Sequence, residues 1–323
     1  MKICIIGSSG HWQYTLDEMK NHELVGVCPG FDGEDMNGVV SEFAKRGINT
    51  RICGGFDELL PANPDIAVIN TRFDLNSVYT AECLRRNIYV FSEKPLAVTH
   101  EGLDSIINAA SDSKAFVAAM FGITYEPWCI AVRNTVPRIG EIRMMNGRKS
   151  YKLGHRAEFY KNRSTFGGII PWVSIHALHW MYATSGLTFK EVMAYTDNTS
   201  NNGHGDLETA SACIFRMENG AIASVTADYF RPDGAPTHDD DRLRLAGDNG
   251  VIEYQNGRVL LITADGTEEI EQPDGKEVFR LFIDRIADGV SGVSMEESIS
   301  ITRAVLAARD SADSGMAVKI DGM

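Results

Sequence analysis

Two short stretches hold the side chains whose types and spacing suit chemistry. The first is Glu93-Lys94-Pro95, closing the apolar run "IYVFSEKPL". A residue before proline is kept out of the α region, so Lys94 is predicted to stay on the strand path and project from the strand's carboxyl end. An ammonium held there can donate to a substrate hydroxyl and a ribose hydroxyl together; the plainer alternative is a solvated surface lysine. The second stretch is "GGIIPWVSIHALHWMYATSG", residues 167–186. On a helix, Trp172, His176 and His179 fall at i, i+4 and i+7 and share one face. A neutral imidazole accepts a proton at physiological pH, although one histidine on a partly apolar helix is more often a core residue. His176-x-x-His179 lacks an evident third ligand and makes a poor zinc site, so no metal is expected. "THDDDR" at 237–242 is predicted to be a charged, solvated loop.

A third stretch, "IIGSSGHWQY" at residues 5–14, resembles a dinucleotide-binding turn. Gly7 allows a tight exit from a strand, and Gly10 can take unusual dihedrals. Ser9 stands where a second glycine would let the backbone approach a pyrophosphate, and Trp12 stands where a third would permit close helix packing. Backbone N–H groups at the start of a helix over 11–21 would hold phosphate, aided by the helix dipole. Gly7, Ser8, Ser9, Gly10, His11 and Trp12 are therefore candidate cofactor contacts. NAD-specific domains place an acid at the end of the second strand, about 20 residues past the glycines. Here Pro29 occupies that place, Asp32 is the acid that could reach back, and no arginine stands beside it for a 2′-phosphate. NAD and NADP both stay open.

The elements that must position these groups are legible in the first third. Apolar runs at 2–7, 23–28, 50–53, 65–71, 88–92 and 115–120 alternate with helical patterns at 11–21, 34–46, 75–87 and 99–113, the last with Thr99 as N-cap. Continuous apolar strands between amphipathic helices predict a doubly wound parallel sheet. From about residue 123 strand-like segments follow one another through turns such as Glu218-Asn219-Gly220, with helices at 124–135, 168–185, 276–289 and 295–314. The fold class is α/β: an N-terminal Rossmann domain, residues 1–122, and a C-terminal α+β domain, residues 123–323, with a large open, mostly antiparallel sheet. Tyr125 and Trp128 follow the last dinucleotide strand and either line the cleft between the domains or fill a core.

The totals exclude some classes. A net charge of −13 argues against nucleic acid. No apolar run approaches the ~20 residues of a membrane helix. The six cysteines form no C-x-x-C pair and read as reduced, buried thiols. With a strand beginning at Lys2 there is no room for a signal peptide, and a cytoplasmic protein is expected.

A dinucleotide fold, then E-K-P, then "GGIIPWVSIH" resembles the glucose–fructose oxidoreductase, inositol dehydrogenase and rhizopine-catabolism family (Gfo/Idh/MocA) over essentially the whole chain. The resemblance implies an NAD- or NADP-dependent oxidoreductase acting on a secondary hydroxyl or keto group of a sugar, cyclic polyol or derivative. It implies Lys94 and His176 as catalytic residues, with His176 the proton acceptor. Thr71 matches a threonine after the fourth strand, with Arg72 in place of the usual proline; with Glu93 these complete the cofactor set. Arg163 stands near a family tryptophan–arginine pair and joins Tyr125, Trp172 and His179 as candidate substrate contacts. Trp172 replaces the family aspartate and His179 a further acid. A homodimer or homotetramer through the C-terminal sheet is implied. The rival readings are a diverged dinucleotide-binding sensor or scaffold and a glycoside-processing enzyme that oxidises its substrate transiently.

Overall fold

The computed structural model describes residues 1–290 and 292–320. The chain forms two compact units. The first comprises residues 1–120, 164–166 and 277–299; the second comprises 121–163, 167–276 and 300–323.

The first unit is built on five parallel strands, β1 (Lys2–Ile6), β2 (Glu23–Cys28), β3 (Ile66–Ile69), β4 (Tyr89–Ser92) and β5 (Val117–Ala119), in the order β2-β1-β3-β4-β5. All four residues of β3 are buried, as expected of a strand covered on both faces. Helices α1 (Asn37–Ala44), α2 (Phe73–Arg85) and α3 (His100–Ser111) supply the crossovers. Thr99 caps α3 as its sequence predicts, its hydroxyl accepting the Gly102 N–H at 3.0 Å.

Two expectations fail here. Residues 50–53 form no regular strand; Ile52 makes a single parallel bridge to Val27, at the outer side of β2. That bridge marks the place of an outermost strand in the usual six-strand dinucleotide order. Residues 11–21 form no α-helix but two short 3₁₀ turns, Trp12–Thr15 and Met19–Asn21. In a 3₁₀ turn residues i and i+3 eclipse, which turns both Trp12 and Thr15 inward. Trp12 packs 5.8 Å from Phe43 of α1.

The second unit contains α4 (Pro127–Thr135), the one-turn α5 (Arg163–Phe166, whose last three residues belong to the first unit) and α6 (Ile175–Ser185). Its nine-stranded sheet comprises β6 (Ile142–Tyr151), β7 (Phe189–Asp197), β8 (Ala210–Met217), β9 (Ile222–Asp228), β10 (Asp239–Gly247), β11 (Gly250–Gln255), β12 (Arg258–Thr263), β13 (Gly266–Glu269) and β14 (Val318–Lys319). The order is β13-β12-β11-β10-β6-β9-β8-β7-β14, and every pairing is antiparallel except β6 with β9. One face buries Met145, Cys213, Phe215, Ala223 and Val225. Gly147 on that face leaves room for α6, since a Cβ there would lie 2.8 Å from the Met181 methyl.

Helix α7 (Val278–Asp288), expected in the C-terminal domain, belongs to the first unit. Its Phe279 and Phe282 rings each lie 5.2 Å from Phe91 of β4. Helix α8 (Met295–Ser314) completes the helices.

Candidate functional site

At the carboxyl ends of β1 and β3, Gly7 turns the chain with φ +82°. A side chain there would strike the Asn70 carbonyl, which accepts the Ser9 N–H at 2.7 Å. The donors of this turn converge on a carboxylate. Glu34 Oε1 accepts from the Ser8 N–H at 2.8 Å, the Ser8 hydroxyl at 3.1 Å and the Ser9 hydroxyl at 2.7 Å. Glu34 Oε2 accepts the Gly30 N–H at 2.7 Å. Asp32, the acid expected to reach back, is exposed; Glu34 does so instead. The loop after β2 folds back on itself, and the reach along the chain does not reveal which acid returns. Trp12 is likewise corrected: its ring is a core element, 5% exposed.

His11 and Gly10 meet a second carboxylate. Glu93 is fully buried and accepts the His11 N–H at 2.8 Å, the His11 Nδ1 at 2.6 Å and the Lys94 N–H at 2.9 Å. Burial alone would raise the Glu93 carboxyl, but His11 and Lys94 outweigh it and hold the group below its usual range. Lys94 itself is 1% exposed, which discards the reading of a solvated lysine. β4 stops at Ser92, so Lys94 lies in the bend beyond the strand, and its peptide to Pro95 is cis. The segment is clamped by a residue with no sequence signal: Asn76 of α2 donates to the Glu93 carbonyl at 3.1 Å and the Pro95 carbonyl at 3.0 Å.

Beside these groups, the Asn70 amide and the Thr71 hydroxyl are fully buried without hydrogen-bond partners. Gly30 abuts that hydroxyl and Gly10 abuts the Asn70 amide oxygen. Arg72 turns elsewhere, bound to Asp74 at 2.7 and 2.9 Å and lying over the Phe31 ring.

In the second unit a π turn, Ile170–Ser174, precedes α6. Its wider i→i+5 registry replaces the helical spacing on which the shared face of Trp172, His176 and His179 rests. Trp172 meets the Tyr160 ring at 6.0 Å, His176 lies edge-on to Tyr151 at 6.4 Å, and His179 stacks on Phe121 at 3.8 Å. His176 is 7% exposed and His179 2%.

Arg163, a candidate substrate contact, is engaged by carboxylates: Glu208 at 3.1 Å and Asp313 at 2.7 Å. Glu208 in turn accepts the Ile169 N–H at 2.6 Å and lies against Gly168, whose φ is +109°. Burial pushes the Glu208 carboxyl up, and Arg163 opposes it. Trp128 is a core residue, stacked on Tyr254 at 4.0 Å, whereas Tyr125 is half-exposed and its carbonyl accepts the Lys276 N–H.

The run 237–242 is a loop only as far as His238. Residues from Asp239 onward form β10, and fully buried Lys149 of β6 binds Asp239 at 2.9 Å and Asp241 at 2.7 Å. Asp240, on the other face, pairs with Arg148 and Arg242. Among the described residues the six cysteines are buried, and no helix is long and apolar enough to cross a membrane.

A parallel sheet with a glycine turn at its carboxyl end, oxyanion donors on that turn, and a buried lysine beyond β4 define a Rossmann-type dinucleotide-binding unit, accompanied by an α+β unit. Residues 1–121 match the oxidoreductase family with an NAD-binding Rossmann fold, and residues 137–253 match the GFO/IDH/MocA C-terminal domain. A solved oxidoreductase structure from Thermotoga maritima is 41% identical over 99% of this chain and 100% of its own, with a TM-score of 0.96. Inositol 2-dehydrogenase of Rhizobium meliloti is 24% identical over 64% of this chain and 62% of its own length. The oxidoreductase YteT of Bacillus subtilis is 25% identical over 43% of this chain, which spans 34% of that relative. The chain belongs to the Gfo/Idh/MocA family of NAD-binding oxidoreductases.

The residues present fit such a cofactor. Three donors of the β1 turn and one of the loop after β2 already gather an oxyanion, and the orphaned Asn70 and Thr71 groups would supply further polar contacts.

Proposed function

We propose that this chain interconverts a secondary hydroxyl and a keto group on a sugar, cyclic polyol or derivative, using nicotinamide dinucleotide. The observation that carries the reading is Lys94: a buried ammonium at the carboxyl end of a parallel sheet, beside a carboxylate kept ionised. When bound, the nicotinamide accepts or returns the hydride. Ser8, Ser9, Asn70 and Thr71 would hold the dinucleotide. Lys94 donates to the reacting oxygen and keeps it oriented, while His176 takes or returns the hydroxyl proton. Such a positioned base is worth ~10²–10⁴-fold in rate. The inositol dehydrogenase relative supports the polyol class.

Purified protein incubated with NAD or NADP and a panel of polyols, sugars and sugar acids should reduce the cofactor with at least one. Lys94→Ala should lower turnover by roughly 10³-fold or more while circular dichroism stays unchanged; retained turnover removes the lysine from the mechanism. A non-catalytic dinucleotide sensor is the second reading. It is favoured by Trp172, which stands where the family's catalytic segment carries an aspartate. Calorimetric cofactor binding with no turnover on the whole panel would select it.

The oligomer in this reading is a homodimer or homotetramer through the second unit's sheet. Pairing register puts Met144 and Ile222 side by side and sets Ile214 beside Ser224, all on the face opposite the buried one. Met144, Tyr195, Ile214 and Ile222 are exposed there, an apolar patch of the kind that self-associating surfaces use. Ile214→Glu should convert the assembly seen by light scattering to monomer; an unchanged mass excludes this face.

A further inference from the structure

The chain has 44 acidic residues against 31 Lys and Arg, so a cation without a carboxylate partner stands out. Arg156 is one. Its guanidinium donates to the Lys152 carbonyl at 3.0 Å and lies 4.8 Å from the centre of the Tyr229 ring and 5.8 Å from that of Tyr160. Its Nε is buried without an acceptor, and no ion pair among the described residues includes it. Lys152 is a second: among the described residues its ammonium binds the carbonyls of Asp233 and Ala235, at 2.7 and 2.6 Å, and no carboxylate.

Under Arg156, Tyr229 is 3% exposed and its hydroxyl has no hydrogen-bond partner. Burial pushes that hydroxyl's pKa up, with Arg156 opposing, so it stays protonated and able to donate. The Tyr151 ring stacks on Tyr229 at 6.3 Å and meets both His176 at 6.4 Å and His238 at 5.0 Å. The unpaired cation is therefore continuous, through Tyr229 and then Tyr151, with the histidine assigned to proton transfer. Of the nearby charges, Lys149 is already neutralised by Asp239 and Asp241, and Glu208 is engaged by Arg163. Burial and then Arg156 hold the His238 imidazole below its usual range, so it adds no third cation at neutral pH.

We propose that Arg156 and Tyr229 form a subsite for a carboxylate on the substrate, so that the substrate class is a sugar or polyol acid rather than a neutral sugar. This rests on the redox reading above for the site's purpose, though not for the existence of the subsite. A planar carboxylate matches the guanidinium fork and accepts from the phenol as well. It also satisfies two buried donors that stay unsatisfied in the free protein. A neutral sugar would leave the guanidinium's charge without a counter-ion. A phosphate ester would add up to two negative charges where one guanidinium is fixed and only the half-buried Lys152 stands behind it.

The test is calorimetric binding of aldonates and uronates, their matched neutral sugars and the matched sugar phosphates to the intact protein with cofactor. Cofactor reduction is followed in parallel on the same compounds. Acids should bind tightest of the three sets. Arg156→Met should weaken the best acid by roughly 10–100-fold, and Arg156→Lys should recover part of the loss. Tyr229→Phe removes only an unpartnered hydroxyl: it should leave the thermal midpoint of the free protein unchanged or higher while weakening the acid by roughly 3–10-fold. Equal binding of acids and neutral sugars, preference for the phosphates, or full acid affinity in both variants would each overturn the proposal. Acid binding without any cofactor reduction would overturn the redox reading and leave the subsite standing.

Discussion

At individual positions, the chemistry is decided by which partner a charged group finds. Asp32 and Glu34 lie two residues apart, yet one is in solvent and the other gathers four donors from Ser8, Ser9 and Gly30. Arg163 and Arg156 both precede the histidine helix; one is bound by Glu208 and Asp313 and the other by no acid. Asn76 holds the E-K-P segment through two buried carbonyls. Asn76→Ala would strip the Pro95 carbonyl of this donor and leave the Glu93 carbonyl with the Ser92 hydroxyl, and urea unfolding should show a loss of about 1–3 kcal/mol. Gly30→Ala would drive a Cβ into the Thr71 hydroxyl. Such overpacking costs about 1–3 kcal/mol, and calorimetry should show weaker dinucleotide binding as Thr71 is displaced; unchanged affinity would take Thr71 out of the cofactor site.

Among the elements, those defined by local periodicity were readable. All five strands of the first sheet and helices α2 and α3 lie within three residues of their expected bounds, because buried parallel strands read as unbroken apolar runs. β10 was not readable. Its Asp239 and Asp241 share a face and bind Lys149, while Asp240 faces the other way toward Arg148 and Arg242. That alternation is the period of a strand, but a run of acids looks like a solvated loop until the cation across the sheet is known. Lys149→Met should cost about 3–5 kcal/mol in urea unfolding, since two carboxylates would lose their shared cation. Adding Asp239→Asn and Asp241→Asn should recover much of it. The 3₁₀ turns at 12–21 escaped for a different reason: tertiary burial of Trp12 against Phe43 overrode a plausible helical pattern.

For the molecule as a whole, the carboxylates paired with cations set the response to pH. Glu93, Asp239 and Asp240 lie below their ordinary values because cations outweigh burial. A depressed acid contributes stability above its unfolded pKa, and that contribution disappears as pH falls through the folded value. Asp241 runs the other way: burial, only partly opposed by Lys149, pushes it up to about 6. Its contribution is complete below its unfolded value and is lost as pH rises toward 6. Urea midpoints should therefore fall steeply below about pH 4, and Asp241→Asn should abolish a shallower decline between about pH 4 and 6. A wild-type profile that Asp241→Asn leaves unaltered would mean that this carboxyl does not titrate in that window.

The linear order of residues was enough to specify the alternating strands and helices, the cap at Thr99, the glycine exit from β1 and the place of Lys94 near a strand's carboxyl end. These follow from backbone and hydrophobic preferences over a few neighbouring residues. Pairings between distant residues needed the folded chain: Glu34 on the serines, Lys149 between two aspartates, Arg163 taken by acids and Arg156 left without one. Each depends on where loops and strands come together in space, because attraction between charges is set by their separation in ångströms, which position along the chain does not record.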